Sequence, residues 1–319
     1  MTYKRKHGKG IMMNIPSVLK LVVAVFFLSI LPVLGYADQV VDKDKTVAEG
    51  RSQTEWSKRA LALGQMKDWR GLLDWSRKWT KSEPENARAW GTLGFAYDKL
   101  NRYNNAIEAY HQSVRINPED ADVWGFLGAA YYDLKRYNNA IEAYRQAVRI
   151  NPEDADVWEI IGKVCRLLER YNDAIEAYRQ SVRINPEDAH VWGFLASAYY
   201  DLKRYNDAIE AYRQAIRINP EDADAWNYLG NAYGHLNRDN DAVEAFRQAT
   251  RIKPQYADAW FNLGIAYRNL NRHNDAVDAF RQATRINPND ADAWFNLGSA
   301  YHDLERYDDA IEAYRQAVR

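Results

Sequence analysis

The 319-residue chain contains a single cysteine, Cys165, and no Asn-x-Ser/Thr sequence. One cysteine cannot form an internal disulfide, so the fold cannot depend on one in an oxidising compartment. Cys165 is at an apolar position of its segment, which favours a buried, inert thiol over a reactive one. The missing glycosylation sequence slightly favours a bacterial exported protein over a eukaryotic secreted one.

Sequence motifs of catalytic sites are also missing. The chain has no HExxH, no P-loop and no GxSxG, and Cys165 has no histidine at a spacing that suggests a catalytic pair. None of the six histidines forms a pair at the spacing of metal ligands. The sequence therefore predicts a protein that is not an enzyme, with no catalytic residues, no metal site and no cofactor.

Long apolar runs are few, and the main one is near the N-terminus. Residues 1–20 carry five basic residues and no acidic one, and residues 21–34 form a 14-residue apolar run that is followed by Gly35-Tyr36-Ala37. A basic leader, a short apolar core and small residues before the cleavage point are typical of a secretory signal. We expect a signal peptide at 1–37, cleaved after Ala37, and a periplasmic or secreted protein, with the bacterial envelope favoured.

An uncleaved membrane anchor is the alternative for this segment, although 14 residues are short for a span, which needs roughly 20. Met12 or Met13 is an alternative start of the chain. No cysteine lies near the cleavage point, which excludes a bacterial lipoprotein anchor. Residues 38–52 are polar and lack periodicity, so they are predicted to be a linker.

The charge balance argues against nucleic acid as a partner. Removal of residues 1–37 removes five positive charges and no negative one, so the net charge changes from −1 to −6. Binding to nucleic acid depends strongly on neutralising phosphates with cationic side chains. An acidic chain is a poor candidate for that function.

What the chain has in abundance is repetition. Seven tryptophans stand 34 residues apart: Trp90, Trp124, Trp158, Trp192, Trp226, Trp260 and Trp294. A fixed period of this length predicts an array of one repeated unit rather than a single folded core.

Other residue types recur with the same period. Counted from Ala87, tryptophan is at repeat position 4, Leu or Ile at 7, Gly or Ala at 8, Tyr or Cys at 11, Ala at 20, an aromatic residue at 24 and proline at 32. Positions 4, 7, 8 and 11 lie on one face of a helix, and positions 20, 24 and 27 lie on one face of a second helix. The proline cannot continue that second helix. Each unit is therefore predicted to be a helical hairpin.

This pattern resembles the W-x2-L-G-x2-Y…A-x3-F…P pattern of the tetratricopeptide repeat (TPR) family, over residues 87–319. The departures are small: Cys165 replaces a tyrosine and Ala196 replaces a glycine. The resemblance implies an all-α fold, a right-handed superhelical solenoid of stacked helix-turn-helix repeats with a concave groove lined by the first helices.

The 34-residue period predicts where each repeat begins and ends. A divergent N-terminal capping repeat is predicted at 53–86, because Trp56 and Pro84 continue the spacing upstream. The seven repeats follow at 87–120, 121–154, 155–188, 189–222, 223–256, 257–290 and 291–319, the last one incomplete. Its second helix is expected to leave apolar side chains such as Ala313 and Tyr314 uncovered. Self-association through this repeat is one interpretation, and simple tolerance of the exposed surface is the other.

In the family that the chain resembles, repeat positions 2, 5, 6, 9, 12 and 13 form the ligand-facing wall of the groove. Here position 2 is mostly aspartate, and aromatic and amide residues recur at the other positions, which suits a protein or peptide segment with basic and apolar residues. A clamp for a C-terminal carboxylate would need lysine and arginine instead. The predicted partner-binding residues are Asp122, Phe126, Tyr132, Asp156, Phe194, Tyr200, Asp224, Tyr228, Asn231, Asp258, Phe261, Asn262, Asp292, Phe295 and Asn296.

Two interpretations of these residues remain open. The aromatic rings bind a partner, or they pack between neighbouring first helices while the aspartates only stabilise helix termini. For the whole chain, the leading hypothesis is an exported, non-catalytic protein-binding scaffold. A self-assembling structural protein and a targeting subunit of a cell-envelope enzyme complex are the alternatives.

Overall fold

A computed structural model describes residues 46–319, with side chains from Glu55 onward. The described part of the chain contains sixteen α-helices and no β-strand. It divides into two compact units, residues 46–164 and residues 165–319. The expected signal peptide at 1–37 and most of the expected linker lie outside the described residues.

Residues 46–164 contain three helical hairpins and most of the first helix of a fourth. The helices are α1 (Thr46–Gln65), α2 (Trp69–Ser82), α3 (Ala87–Lys99), α4 (Tyr103–Ile116), α5 (Ala121–Asp133), α6 (Tyr137–Ile150) and α7 (Ala155–Leu167). Helix α1 begins at Thr46, within the segment predicted to be a linker. The hairpin of α1 and α2 is where the capping repeat was expected, and its core includes Leu63, Leu72 and the buried Trp79.

Residues 165–319 contain the end of α7, one second helix and four further hairpins. The helices are α8 (Tyr171–Ile184), α9 (Ala189–Asp201), α10 (Tyr205–Ile218), α11 (Ala223–His235), α12 (Asp239–Ile252), α13 (Ala257–Asn269), α14 (His273–Ile286), α15 (Ala291–Asp303) and α16 (Tyr307–Ala317). Consecutive helices pack against each other from α8 to α16. The predicted all-α fold of stacked helix-turn-helix pairs is confirmed.

Six of the seven first helices from α3 onward begin at a residue whose side chain caps the helix, and α13, which follows Tyr256, is the exception. Asp120, for example, accepts a hydrogen bond from the backbone N–H of Val123, and Asp222 accepts from those of Asp224 and Ala225. A side-chain oxygen at this point satisfies N–H groups that have no partner within the helix.

The turn inside each hairpin uses a residue in the left-handed region. Lys135, Lys203, Asn237 and their equivalents have φ between 56° and 60°. This conformation stops the first helix, and the chain then turns into the second. The second helices from α4 onward follow an arginine, such as Arg204, whose Nε donates to Asp207 three residues later at 2.8 Å.

Each repeat tryptophan ties the start of a first helix to the preceding turn. The indole Nε1 donates to the carbonyl oxygen of the proline six residues earlier, over 2.7–3.0 Å in all seven repeats. The ring is half-buried, as at Trp192 and Trp226. The tryptophan therefore both packs between helices and fixes the geometry of the turn.

The two helices of a hairpin approach closely where a glycine faces an aromatic ring. A Cβ added to Gly230 would lie 2.5 Å from Cε1 of Phe246, and one added to Gly264 would lie 2.6 Å from Cε1 of Phe280. Both rings are fully buried. At these two positions the absence of a side chain leaves the space that the ring occupies, while the fourth repeat accommodates Ala196 at the same position.

Candidate functional site

The first-helix face is defined here by repeat positions 2, 5, 6, 9, 12 and 13. Its aspartates stand in the first turn of their helices, and all five that were predicted to bind a partner are exposed: Asp122, Asp156, Asp224, Asp258 and Asp292. The pKa of Asp122 is raised, first because neighbouring groups displace its water and then because Asp120 and Asp154 repel its charge. These carboxylates are accessible to a cation in solution.

The aromatic residues at position 6 pack against the preceding repeat. The ring centroids of Phe126 and Tyr110 lie 6.0 Å apart, those of Phe194 and Tyr178 lie 5.9 Å apart, and those of Tyr228 and Tyr212 lie 6.0 Å apart. Phe126 is buried within residues 46–164, whereas Phe194 and Tyr228 are half-buried. Phe126 therefore belongs to the core and offers little surface, while the other two combine packing with exposed ring area.

At position 5 the rings pack within their own repeat. Phe261 lies 5.8 Å from Phe280, and Phe295 lies 5.5 Å from Tyr314, measured between ring centroids. Phe261 is 9% exposed and Phe295 is 47% exposed. The same residue type at the same repeat position thus has very different access to a partner, which the sequence pattern could not indicate.

Two predicted tyrosines lie at the C-terminal ends of first helices. Tyr132 packs on Tyr137 with ring centroids 5.5 Å apart. Tyr200 contacts Tyr205 and His235, and the rings of Tyr205 and His235 stack in parallel at 4.6 Å. Burial raises the pKa of Tyr200 well above that of a free phenol. Sequence reasoning missed Tyr205 and His235, although His235 is at position 13 of this face.

A polar network joins the fifth and sixth repeats. Asn262 Nδ2 donates to Asn227 Oδ1 at 3.1 Å, and Asn227 Nδ2 lies 3.4 Å from the hydroxyl oxygen of Tyr256. Asn227 is 4% exposed and Asn231, one turn further along α11, is 7% exposed. Tyr256 was missed because it precedes its helix and does not belong to the first-helix positions. The other predicted amide, Asn296, donates to the backbone oxygen of Asp292 at 2.8 Å.

The arginines of this face within residues 165–319 are held in ion pairs. Arg166 Nε lies 3.1 Å from an oxygen of Asp201, and Arg268 Nε lies 2.8 Å from an oxygen of Asp303. Each pair joins successive first helices. Because these two cations are matched by carboxylates, Asp224, Asp258 and Asp292 dominate the charge of the face.

A different hollow lies on the second-helix side. It has a volume of about 510 Å³ and is bordered by Trp260, Tyr267, Arg247, Arg281 and Asp278, among others. Arg247 Nε donates to the hydroxyl of Tyr267 at 2.7 Å, a contact that recurs between Arg213 and Tyr233. These side chains join neighbouring repeats, so we treat the hollow as part of the scaffold.

Among residues 46–319 no group of three or more His, Cys, Asp or Glu side chains is placed to hold a metal ion. Within the same range, no helix is long and apolar enough to cross a lipid bilayer.

Models of three repeat families match parts of the chain. The C-terminal domain of cilia and flagella-associated protein 70 matches residues 188–319, the TPR domain of cytochrome c-type biogenesis protein H matches residues 116–217, and the tetratricopeptide repeat matches residues 87–120. These matches support a TPR protein. No curated protein sequence matches the chain significantly.

Solved TPR structures share the fold. The C-terminal part of a TPR repeat-containing protein from Cytophaga hutchinsonii is 17% identical with a TM-score of 0.64, and the match covers 75% of this chain and 98% of that chain. MamA is 26% identical with a TM-score of 0.51, over 52% and 91% of the two chains. YrrB, a TPR protein with an unusual peptide-binding site, is 20% identical with a TM-score of 0.52, over 58% and 95%. TPR proteins of this kind are typically non-catalytic scaffolds.

Proposed function

We propose that this TPR protein is an exported, non-catalytic scaffold that binds an extended protein segment on the first-helix face of residues 165–319. The segment carries basic and apolar side chains. One observation carries the proposal: exposed carboxylates at Asp224, Asp258 and Asp292 alternate with accessible rings at Phe194, Tyr228 and Phe295.

The two kinds of side chain would contribute differently to binding. Half-exposed rings that are already fixed by packing on Tyr178 and Tyr212 offer contact area at a small cost in conformational entropy. Carboxylates on the rim mainly guide association and orient cations, and their effect weakens with salt. The peptide-binding site of the structurally similar YrrB is consistent with this function for a TPR fold.

The test compares three forms of the protein as bait in its native cell envelope, with partners identified by mass spectrometry. The first is the wild type, the second is Phe194→Ser combined with Tyr228→Ser, and the third is Arg281→Gln on the second-helix side. All three must show the same helical content and a cooperative melt. A partner that is retained by the wild type and by Arg281→Gln but lost from the double variant supports the proposal.

Partners that bind the double variant as well as the wild type would contradict a role for this face. Export is tested separately, by cell fractionation and by sequencing the N-terminus of the mature protein. We expect the protein in the envelope or medium, starting at Asp38. A cytoplasmic protein that retains residues 1–37 would contradict export.

A further inference from the structure

Three of the first helices end in an aspartate. Asp133 is the last residue of α5, Asp201 is the last residue of α9, and Asp303 is the last residue of α15. The C-terminal end of a helix carries a partial negative charge, so a carboxylate there is unfavourable unless a cation lies beside it. We therefore expect a positively charged group next to each of these aspartates.

Two of the three aspartates have such a partner within the chain. Asp201 is paired with Arg166 over 3.1 Å, and Asp303 is paired with Arg268 over 2.8 Å. In both pairs the arginine is the second-to-last residue of the preceding first helix and stands 35 residues before the aspartate. This place between successive repeats therefore holds a guanidinium group twice in the same protein.

The third aspartate has an acid where the arginine would be. The residue 35 positions before Asp133 is Asp98, the second-to-last residue of α3, and α3 contacts α5 as α13 contacts α15. Within residues 55–319 the carboxylate of Asp133 has no ion pair and no hydrogen bond. Burial raises the pKa of both carboxyl groups, and repulsion by Asp98 raises that of Asp133 further.

Lys99 balances only one of these two charges. Its Nζ lies 3.2 Å from an oxygen of Asp98 and 4.9 Å from the ring centre of Phe95. All three residues belong to α3, so the ammonium is held on its own helix. In raising or lowering the pKa of Asp133, repulsion by Asp98 outweighs attraction by Lys99. One negative charge remains uncompensated at the ends of α3 and α5.

A buried hydroxyl beside Asp98 is a second, independent observation. The hydroxyl of Tyr110 is buried and has no hydrogen-bond partner among the described residues. Its ring packs on α3 one turn before Asp98, where a Cβ added to Gly94 would lie 2.6 Å from Cε1. The hydroxyl of the equivalent Tyr212 lies 3.1 Å from Ser197 Oγ on the first helix, at a position where the first repeat has no hydroxyl. Buried polar groups are nearly always hydrogen-bonded, so the Tyr110 hydroxyl is available to a bound group.

We propose that Asp98 and Asp133 bind an arginine side chain of a protein partner. The guanidinium of the partner occupies the place that Arg166 and Arg268 occupy in other repeats, and the hydroxyl of Tyr110 accepts one of its N–H groups. Arginine is preferred over lysine because its planar fork of donors can contact two carboxylates at once.

This subsite does not depend on the proposed function. It uses side chains of residues 46–164, whereas the binding face proposed above uses side chains of residues 165–319. The protein would therefore recognise a partner through two separate sets of residues, and each set can be tested without the other.

The experiment titrates the isotope-labelled full-length protein with a capped Gly-Ser-Arg-Ser-Gly peptide and follows backbone amide resonances by NMR. We expect weak binding that shifts the resonances of residues 98–103 and 132–137. A matched peptide contains citrulline, which has nearly the shape of arginine but no charge. It should bind about tenfold more weakly or not at all.

Three variants locate the subsite, each with the helical content and cooperative melt of the wild type. Asp98→Asn combined with Asp133→Asn removes both charges and should weaken binding of the arginine peptide about tenfold or more. Asp98→Arg combined with Lys99→Leu copies the third repeat at these positions, so the chain's own guanidinium should block the peptide. The control Asp292→Asn removes a first-helix carboxylate elsewhere and should leave binding unchanged.

The outcomes are decisive for the subsite. Equal binding of the arginine and citrulline peptides would overturn it, and so would arginine binding that persists after Asp98→Arg or the absence of any shift in residues 98–103 and 132–137. The Phe194→Ser, Tyr228→Ser variant separates the two proposals, because it should bind the arginine peptide as the wild type does. Loss of binding in that variant would assign the peptide to the other face and overturn this inference alone.

Discussion

The two sides of the repeat use the same 34-residue period in opposite ways. Where the helices of neighbouring repeats pack, the indole-to-proline hydrogen bond recurs in all seven repeats, and the arginine-to-tyrosine contact recurs in several. On the first-helix face, position 5 changes from Gly193 to Asn227 to Phe261. Side chains that repeat and are packed hold the hairpins together. The side chains proposed to bind a partner lie on the first-helix face and include both the repeated aspartates at position 2 and the variable residues at position 5.

The largest effect is expected when a constant residue is removed. Trp226→Ala loses a half-buried ring and the 2.9 Å hydrogen bond to the Pro220 oxygen. We expect a loss of about 3 kcal/mol in the free energy of unfolding, measured by denaturant titration. A loss below about 1 kcal/mol would mean that the indole is dispensable to the turn.

The next largest loss of stability is expected when a side chain is added where two helices approach closely. In Gly264→Val, the added Cβ would lie 2.6 Å from the ring of Phe280, and we expect about 2 kcal/mol of destabilisation. Gly193→Val is the matched control, because nothing lies within 4 Å of a Cβ added there. Thermal melts of both variants measure the contrast. Equal melting temperatures would show that Phe280 moves aside.

Removing a buried hydroxyl that has no hydrogen-bond partner should increase the stability of the protein. The hydroxyl of Tyr110 is buried without a hydrogen-bond partner among the described residues, whereas that of Tyr212 lies 3.1 Å from Ser197 Oγ. Tyr110→Phe should therefore stabilise the protein by about 1 kcal/mol, and Tyr212→Phe should destabilise it by a similar amount. Denaturant titration of the pair measures this. The prediction fails if the two substitutions change stability in the same direction.

A substitution in the turn inside a hairpin should give a smaller gain in stability. Lys203 has φ 60°, where a side chain is strained, so Lys203→Gly should stabilise the protein by about 0.5 kcal/mol after the entropic cost of glycine. Asn237→Gly should gain less, because asparagine tolerates its φ of 57° better than lysine. Melting temperatures rank the two variants, and the reverse order would contradict the argument.

The smallest effect is expected on the first-helix face. Asp292→Asn removes an exposed charge from the first turn of α15, and only a few tenths of a kcal/mol should be lost from the helix dipole. The same unfolding measurement applies. A loss of about 1 kcal/mol or more would give the first-helix aspartates a structural role and weaken the comparison.

The fold could be predicted from the sequence because it depends on periodic residues. Tryptophan, glycine, alanine and proline at fixed spacing dictate helix faces, close approach and turns. These constraints act between residues that are close in sequence, and the same residues impose them in every repeat. The start of α1 at Thr46 was missed because the preceding polar segment has no apolar period.

The candidate site was less predictable, because access depends on neighbours. Phe261 and Phe295 share a repeat position, but only Phe295 is exposed. Phe126 was predicted to bind a partner, yet Phe95 and Tyr110 enclose it. The hydroxyl of Tyr256 lies 3.4 Å from Nδ2 of Asn227 in another helix, a contact that the repeat pattern does not indicate. The departure of Tyr256 from the aspartate found in adjacent repeats was the one signal in the sequence.

The bond from each indole to the proline six residues earlier also limits how such a chain can evolve. An extra residue between Pro220 and Trp226 would move the carbonyl out of reach of the Nε1 group that it meets at 2.9 Å. An insertion at this junction would therefore break the hydrogen bond, whereas the gain or loss of a whole 34-residue unit would preserve it. The length of the first-helix face would then change only in steps of one repeat.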